Sequence, residues 1–166
     1  MSYGRVVDVR ALLDQLASRG ATLATAESLT GGRLASLVTA VPGASRVYVG
    51  GVISYATGAK EDLLGVLPGL VERHGVVSPE CARAMAEGAR HRLGATYAIS
   101  TTGVAGPDPQ EGHPVGTVFV GIAGPAGVTA LALELAGDRA EIQDRTCTEA
   151  LTAFAEVLPR EEPGLG

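Results

Sequence analysis

Ser28 stands in Glu27-Ser28-Leu29-Thr30-Gly31-Gly32-Arg33, a hydroxyl followed by two glycines at an expected strand-to-helix turn. Glycines let backbone approach a ligand closely, and a helix start offers unpaired N–H groups and a positive dipole end. The segment therefore suits either an anion or a serine nucleophile beside an oxyanion site, with Thr30, Gly31 and Gly32 as substrate contacts. It is not a P-loop, because G-x-x-x-x-G-K-[ST] is missing. Nor is it the G-x-S-x-G elbow of α/β-hydrolases. A plain Ser/Thr cap with packing glycines would leave the same pattern.

A serine nucleophile needs a base. His74, His91 and His113 fall in an expected loop, mid-helix and in a Pro-rich loop, so none follows a strand end. Lysine is scarcer and better placed. Of the 13 basic residues 12 are arginine, and Lys60 is the single lysine. An arginine-biased chain keeps lysine chiefly where a removable proton matters, since arginine does not deprotonate. The residue also fits a leftover surface position. Acting as a base near neutral pH requires its pKa to fall by roughly 3, about 4 kcal/mol against the charged form. Burial among small apolar residues supplies that. Tyr55, at the end of the preceding strand, either relays a proton or orients the amine, or else is an ordinary core tyrosine.

Ser100-Thr101-Thr102-Gly103-Val104-Ala105-Gly106-Pro107-Asp108 follows a third strand. Its hydroxyls and N–H groups, that of Gly103 among them, suit an oxyanion or phosphate. The connection runs on to Pro114, longer than the usual ~2–6 residues, which favours a functional loop over a merely crowded one. Arg139 opens the last helix and suits a phosphate or carboxylate clamp as well as a surface ion pair. No His/Cys/Asp/Glu cluster has metal-ligand spacing, so no metal is expected.

These residues must be held by regular elements. Val9, Leu12, Leu13 and Leu16 share a helical face within 6–19, closed by Gly20. Residues 21–26 and 47–55 read as strands, 31–41 and 59–64 as helices. Ser78 caps a helix to Leu93, with Pro79 at its first position and Gly94 just past it. Residues 97–101 form a third strand. Residues 115–123 and 128–134 flank Gly124-Pro125-Ala126-Gly127 as a hairpin. Asp138 with Glu141 opens a helix to about Val157, and the tail 159–166 reads as frayed. Strands separated by helices pair in parallel and a hairpin adds antiparallel strands. The expected fold is a three-layer α/β/α sandwich with a mixed, mostly parallel sheet and an antiparallel hairpin. Ligands in such sheets gather beyond the strands' carboxyl ends, where Glu27–Gly32, Ser54–Lys60 and Thr101–Asp108 all fall. Adjacent parallel strands lie ~4.8 Å apart, close enough to bring Ser28 and Lys60 together.

Composition limits the classes. The 166 residues suit one domain over 1–166 with its core at about 6–157, and 46% hydrophobic against 19% charged residues argues against disorder. A net charge of −5 with four Tyr, two Phe and no Trp disfavours nucleic-acid or anionic-membrane binding. Cys81 and Cys147 form no close-spaced pair. No stretch approaches ~20 apolar residues and the first ten residues lack a signal peptide's apolar run, so a cytoplasmic location is expected.

Several ordered motifs carry a resemblance: Thr25-Ala26-Glu27-Ser28-Leu29-Thr30-Gly31-Gly32, the Tyr55…Lys60 spacing, Thr102-Gly103-Val104-Ala105-Gly106-Pro107-Asp108, Pro114-Val115-Gly116-Thr117-Val118 and Gly137-Asp138-Arg139. Together they resemble the C-terminal domain of the competence/damage-inducible CinA proteins over about Val6 to Val157. Stand-alone members of that family are nicotinamide-nucleotide amidohydrolases, whereas two-domain members carry an additional N-terminal domain. The resemblance implies hydrolysis of the carboxamide of nicotinamide mononucleotide to nicotinate mononucleotide and ammonia, in pyridine nucleotide recycling, without metal or cofactor. It implies a Ser/Lys pair, Ser28 and Lys60, with Tyr55, Thr102 and Arg139 at further active-site positions. A homo-oligomer rests on family analogy alone. Leu29 stands where many relatives have Cys, and Ala56-Thr57-Gly58 replaces a more polar run. The rival readings are a non-catalytic nucleotide- or phosphate-binding module linked to competence or DNA damage, and a Ser/Lys amidase for another small amide.

Overall fold

The computed structural model describes residues 6–158, so the expected frayed tail lies outside the described residues. The chain runs α1 (Val9–Ser18), β1 (Leu23–Glu27), α2 (Arg33–Thr39), a 3-10 turn (Ala44–Arg46), β2 (Tyr48–Ile53), α3 (Thr57–Leu64), α4 (Pro68–His74), α5 (Pro79–Leu93), β3 (Tyr97–Gly103), β4 (Thr117–Gly124), β5 (Gly127–Glu134) and α6 (Arg139–Val157). The 3-10 turn and α4 were not foreseen. α4 is a seven-residue helix with no buried residue, so it carries no apolar stripe for periodicity to reveal. Its start is still marked by Pro68 in the first turn. α1 begins later than residue 6 because the Asp8 side chain accepts the Ala11 N–H at 3.0 Å and sets the cap there.

The five strands form one sheet in the order β2-β1-β3-β4-β5. β1 pairs in parallel with β2 and with β3. β3–β4 and β4–β5 are antiparallel. β4 alone therefore runs against the other four strands.

Alternation along β1 divides the core in two. Leu23 joins one apolar cluster with Leu12, Leu16, Leu34, Ile142, Leu151 and Phe154, the faces of α1, α2 and α6. Ala24 and Ala26 join the other, with Leu64 of α3 and Cys81, Met85 and Ala89 of α5. Helices thus cover both faces, the α/β/α sandwich expected. Every β1 residue is buried, as a central strand covered on both faces requires. The small residues on the α5 side seat helices tightly: a Cβ at Gly88 would come within 2.0 Å of the Leu64 carbonyl oxygen. That close approach fixes α3, and α3 carries Lys60.

Caps fix the ends that matter. Ser78 accepts the Cys81 N–H at 3.1 Å at the start of α5. Asp138 and Glu141 make a reciprocal capping box at the start of α6, with bonds of 2.9 and 2.8 Å. No helix among the described residues is long and apolar enough to cross a membrane.

Candidate active site

β1 lies between β2 and β3: the chain leaves β1 for β2 on one side and then crosses back to β3 on the other. Such a switch point leaves a crevice beyond the strand's carboxyl end, and Ser28 is the first residue past β1. Its backbone is held on both sides of the sheet's axis. The Ser28 N–H donates to the Thr101 carbonyl of β3 at 3.0 Å, and the Ser54 N–H donates to the Glu27 carbonyl at 2.8 Å. Gln143 of α6 donates its side-chain amide to the Leu29 carbonyl at 2.8 Å.

Lys60 projects from α3 into the same crevice. It is 1% exposed, and its Nζ lies 3.0 Å from Ser28 Oγ. The amine also donates to the carbonyls of Ser54 at 2.7 Å and Tyr55 at 3.3 Å. This set has a consequence for the proton. A neutral amine has two N–H groups, which the two carbonyls take, leaving its lone pair for the Ser28 hydroxyl. A charged ammonium has three, and the third points at Ser28 Oγ. Both states satisfy every bond, so a proton can cross between Oγ and Nζ without rearrangement. Burial pushes the Lys60 pKa below its ordinary value, opposed by the charges of Cys81 and Glu111. The Cys81 thiol is itself pushed up to about 11 by burial. It keeps its proton at neutral pH, so its opposition is absent there.

The pocket above the pair measures about 180 Å3 and is lined by Ser28, Leu29, Tyr55, Thr57, Lys60, Val76, Val77, Gly103, Asp108, Gln110 and Arg139, with Thr102 and Val104–Gly106 completing it. A larger groove of about 620 Å3, between α1 and the end of α6, is lined by Val7, Asp8, Leu12, Thr152 and Glu156 among others.

The expected site residues fall into two groups. Ser28, Lys60, Tyr55, Thr102, Gly103 and Arg139 all line the pocket. Tyr55 is not a core tyrosine, being 63% exposed. Its phenol accepts from Arg139 Nη2 at 3.0 Å rather than facing Lys60, so it is the Tyr55 carbonyl that orients the amine. Arg139 Nη1 donates to the Gly106 carbonyl, spanning the mouth. The Thr102 hydroxyl donates to the Val76 carbonyl at 2.7 Å, which leaves its lone pairs but not its proton for a ligand.

Thr30, Gly31 and Gly32 are a correction: they do not line the pocket. Thr30 is fully buried, its hydroxyl 2.7 Å from Glu27 Oε1 and 2.8 Å from Thr101 Oγ1. The Gly31 N–H donates to the Ser28 carbonyl at 3.1 Å and the Gly32 N–H to Glu27 Oε1 at 3.2 Å. The anion expected at the start of α2 is the chain's own Glu27. Its carboxylate also accepts the Leu34 N–H at 2.8 Å and the Ala35 N–H at 3.1 Å. Glu27 is 1% exposed, and the glycines fold the turn back onto it, Gly32 at φ 101°.

Glu27 and Gln143 hold the turn around Ser28, and residue types alone do not single them out. An acid ahead of a Gly-Gly helix start is a capping pattern, legible for Glu27. Gln143 lies four residues after Arg139 on α6, hence on the same helix face. Among the described residues no group of three or more His, Cys, Asp and Glu side chains is placed to hold a metal ion.

A mixed α/β/α sheet with a buried lysine against a serine at its switch point defines the class structurally. The CinA C-terminal domain model matches residues 8–158, and the chain belongs to that family. A CinA-like protein of Frankia casuarinae is 51% identical over 147 residues, covering 89% of this chain and 34% of its own length. A CinA-like protein of an Anaeromyxobacter strain is 49% identical, covering 87% and 36%. The chain thus spans about a third of the length of the curated relatives it matches. Among solved structures, the competence/damage inducible protein CihA of Agrobacterium tumefaciens superposes with a TM-score of 0.86 at 33% identity, covering 89% of this chain and 92% of that one. A CinA superfamily protein of Escherichia coli gives 0.88 at 30% identity, covering 95% and 98%.

Proposed function

We propose that this chain hydrolyses the carboxamide of nicotinamide mononucleotide through an acyl-enzyme on Ser28. The observation that carries the reading is the 3.0 Å approach of the buried Lys60 amine to Ser28 Oγ, with both remaining N–H groups taken by carbonyls. Neutral Lys60 accepts the Ser28 proton as Oγ attacks the amide carbon. The oxyanion falls to backbone N–H groups of Leu29, the residue after the nucleophile, and of the loop after Thr102. Losing one such donor typically costs about 10²–10³ in rate. Gly31 and Gly32 are no part of this hole, because their N–H groups are engaged. Protonated Lys60 then gives its proton to the departing nitrogen, so ammonia leaves and the C–N bond breaks. Neutral again, Lys60 takes a proton from the water that attacks the ester, then returns it to Ser28 Oγ as the ester C–O bond breaks, so Ser28 is restored and the acid leaves, ionising to carboxylate.

Arg139 supports the choice of a phosphate-bearing amide. Its guanidinium has five N–H groups in a fork, and two serve Gly106 and Tyr55. The remainder suits a phosphate at the mouth, which a chain of net charge −5 must attract locally.

The test is ammonia release from a panel of pyridine nucleotides and small amides. Nicotinamide mononucleotide is expected to be turned over and Ser28→Ala to abolish release. Binding without turnover by the wild-type protein contradicts the reading and leaves a binding module.

A further inference from the structure

Glu111 sits at the tip of the 104–116 loop, where Gln110 and His113 close a small bridge. It is the one non-glycine residue at positive φ among the described residues, at 52°. Such backbone is unfavourable for a residue with a Cβ, and it persists where the surroundings impose it. Here the imposed contact is visible. The Glu111 carboxylate accepts the Val76 N–H at 3.0 Å through Oε1 and the Val77 N–H at 3.4 Å through Oε2. The facing position is Gly75, itself at φ 75°, where a Cβ would come within 1.9 Å of Glu111 Oε2. The carboxylate thus fills a space that only glycine leaves open.

Both segments joined by this contact belong to the pocket. Val76 and Val77 form one wall, and Val104, Ala105, Gly106, Asp108 and Gln110 of the loop form another. The Val76 carbonyl is the same peptide segment that receives the Thr102 hydroxyl. We propose that Glu111 is a positioning residue, a clasp that holds the 104–116 loop against the α4–α5 connection and so keeps the two pocket walls in register. Its kinetic consequences rest on the amidase reading above, whereas its mechanical consequence does not.

The clasp also carries charge. The titratable groups around Lys60 are Cys81 from α5, Glu111 and Asp108 from the loop, and Tyr55 and Arg139 at the mouth. With Cys81 protonated, Glu111 is the carboxylate that favours the Lys60 ammonium. Removing that charge lowers the Lys60 pKa further, so the neutral base becomes available at lower pH.

Two variants of the whole chain separate these effects. Glu111→Ala releases both backbone N–H groups, and amide hydrogen exchange at Val76 and Val77 is expected to quicken about tenfold. Glu111→Gln keeps a carbonyl for the Val76 N–H and removes the charge. For that variant KM for nicotinamide mononucleotide is expected to rise several-fold with kcat retained. The acid limb of its kcat/KM profile is expected to move to lower pH. Unchanged exchange at Val76 and Val77 in Glu111→Ala overturns the clasp, whether or not the wild-type protein hydrolyses any amide. A fall in kcat at unchanged KM, with the acid limb stationary, also overturns it.

Discussion

Glu27→Gln is the most informative single change to the scaffold of this site, because it keeps shape and alters one oxygen and one charge. The carboxylate accepts four bonds, three through Oε1 from Thr30, Gly32 and Leu34 and one through Oε2 from Ala35. An amide that keeps its carbonyl on the first three turns its NH2 toward the Ala35 N–H, donor against donor. That bond is lost and the rest lose their ionic character. Bonds to charged groups are worth ~1.5–3 kcal/mol against about 1 for neutral ones. An anion at a helix start adds ~0.3–1 kcal/mol, more when partly buried. Relief from burying a charge offsets part of this, leaving a net loss of about 2–4 kcal/mol. For a chain of this size each kcal/mol moves Tm by ~2–4 °C, so calorimetry is expected to show a fall of roughly 5–15 °C. Amide exchange at Leu34 and Ala35 is expected to quicken in parallel. Because the same carboxylate folds the turn that presents Ser28, ammonia release should fall more than stability alone explains. A variant whose Tm stays within about 1 °C of the wild-type value would refute the reasoning.

Three further outcomes follow from the geometry. Lys60 has a native pKa below its unfolded value of 10.5, so the unfolded chain binds more protons and the lysine costs stability below its native pKa. The Tm difference between Lys60→Met and wild type should therefore shift toward wild type as pH rises to about 10.5, and a pH-independent difference would count against a depressed pKa. Arg139→Gln, measured with nicotinamide mononucleotide and with free nicotinamide, should raise KM by about 10-fold or more for the phosphate-bearing substrate alone; an equal effect on both would remove Arg139 from phosphate binding. Gln143→Leu frees the Leu29 carbonyl, and kcat should fall about 10-fold with KM little changed; an unchanged kcat would show that α6 does not position the nucleophile.

The fold was legible wherever period and punctuation agreed. α5 and α6 carry Ser-Pro and Asp-x-x-Glu starts with glycine or an apolar end, and both form where expected. β1 was legible from a short run of small residues in which Thr and Ala alternate, just after the Gly20 helix stop. α4 escaped because a short helix with no buried face has no periodic stripe. Within the site, the pairing of Ser28 with Lys60 was legible from scarcity and strand ends: one lysine in a chain of arginines, placed one strand away from the serine. Thr30, Gly31 and Gly32 misled because residue type does not say whether an N–H faces a ligand or the chain's own acid. Glu27 answers that only once the turn is folded. Glu111 was out of reach for a related reason, since its role depends on two backbone N–H groups more than thirty residues away.

The central claim is that a neutral amine at position 60 removes the proton from the hydroxyl at position 28. Single-turnover ammonia release by Lys60→Arg, run beside wild type on nicotinamide mononucleotide, tests it directly, since arginine keeps the charge and cannot act as a base. A fall of about 10²–10⁴ in the rate of the chemical step is the predicted result; release at the wild-type rate would contradict the account.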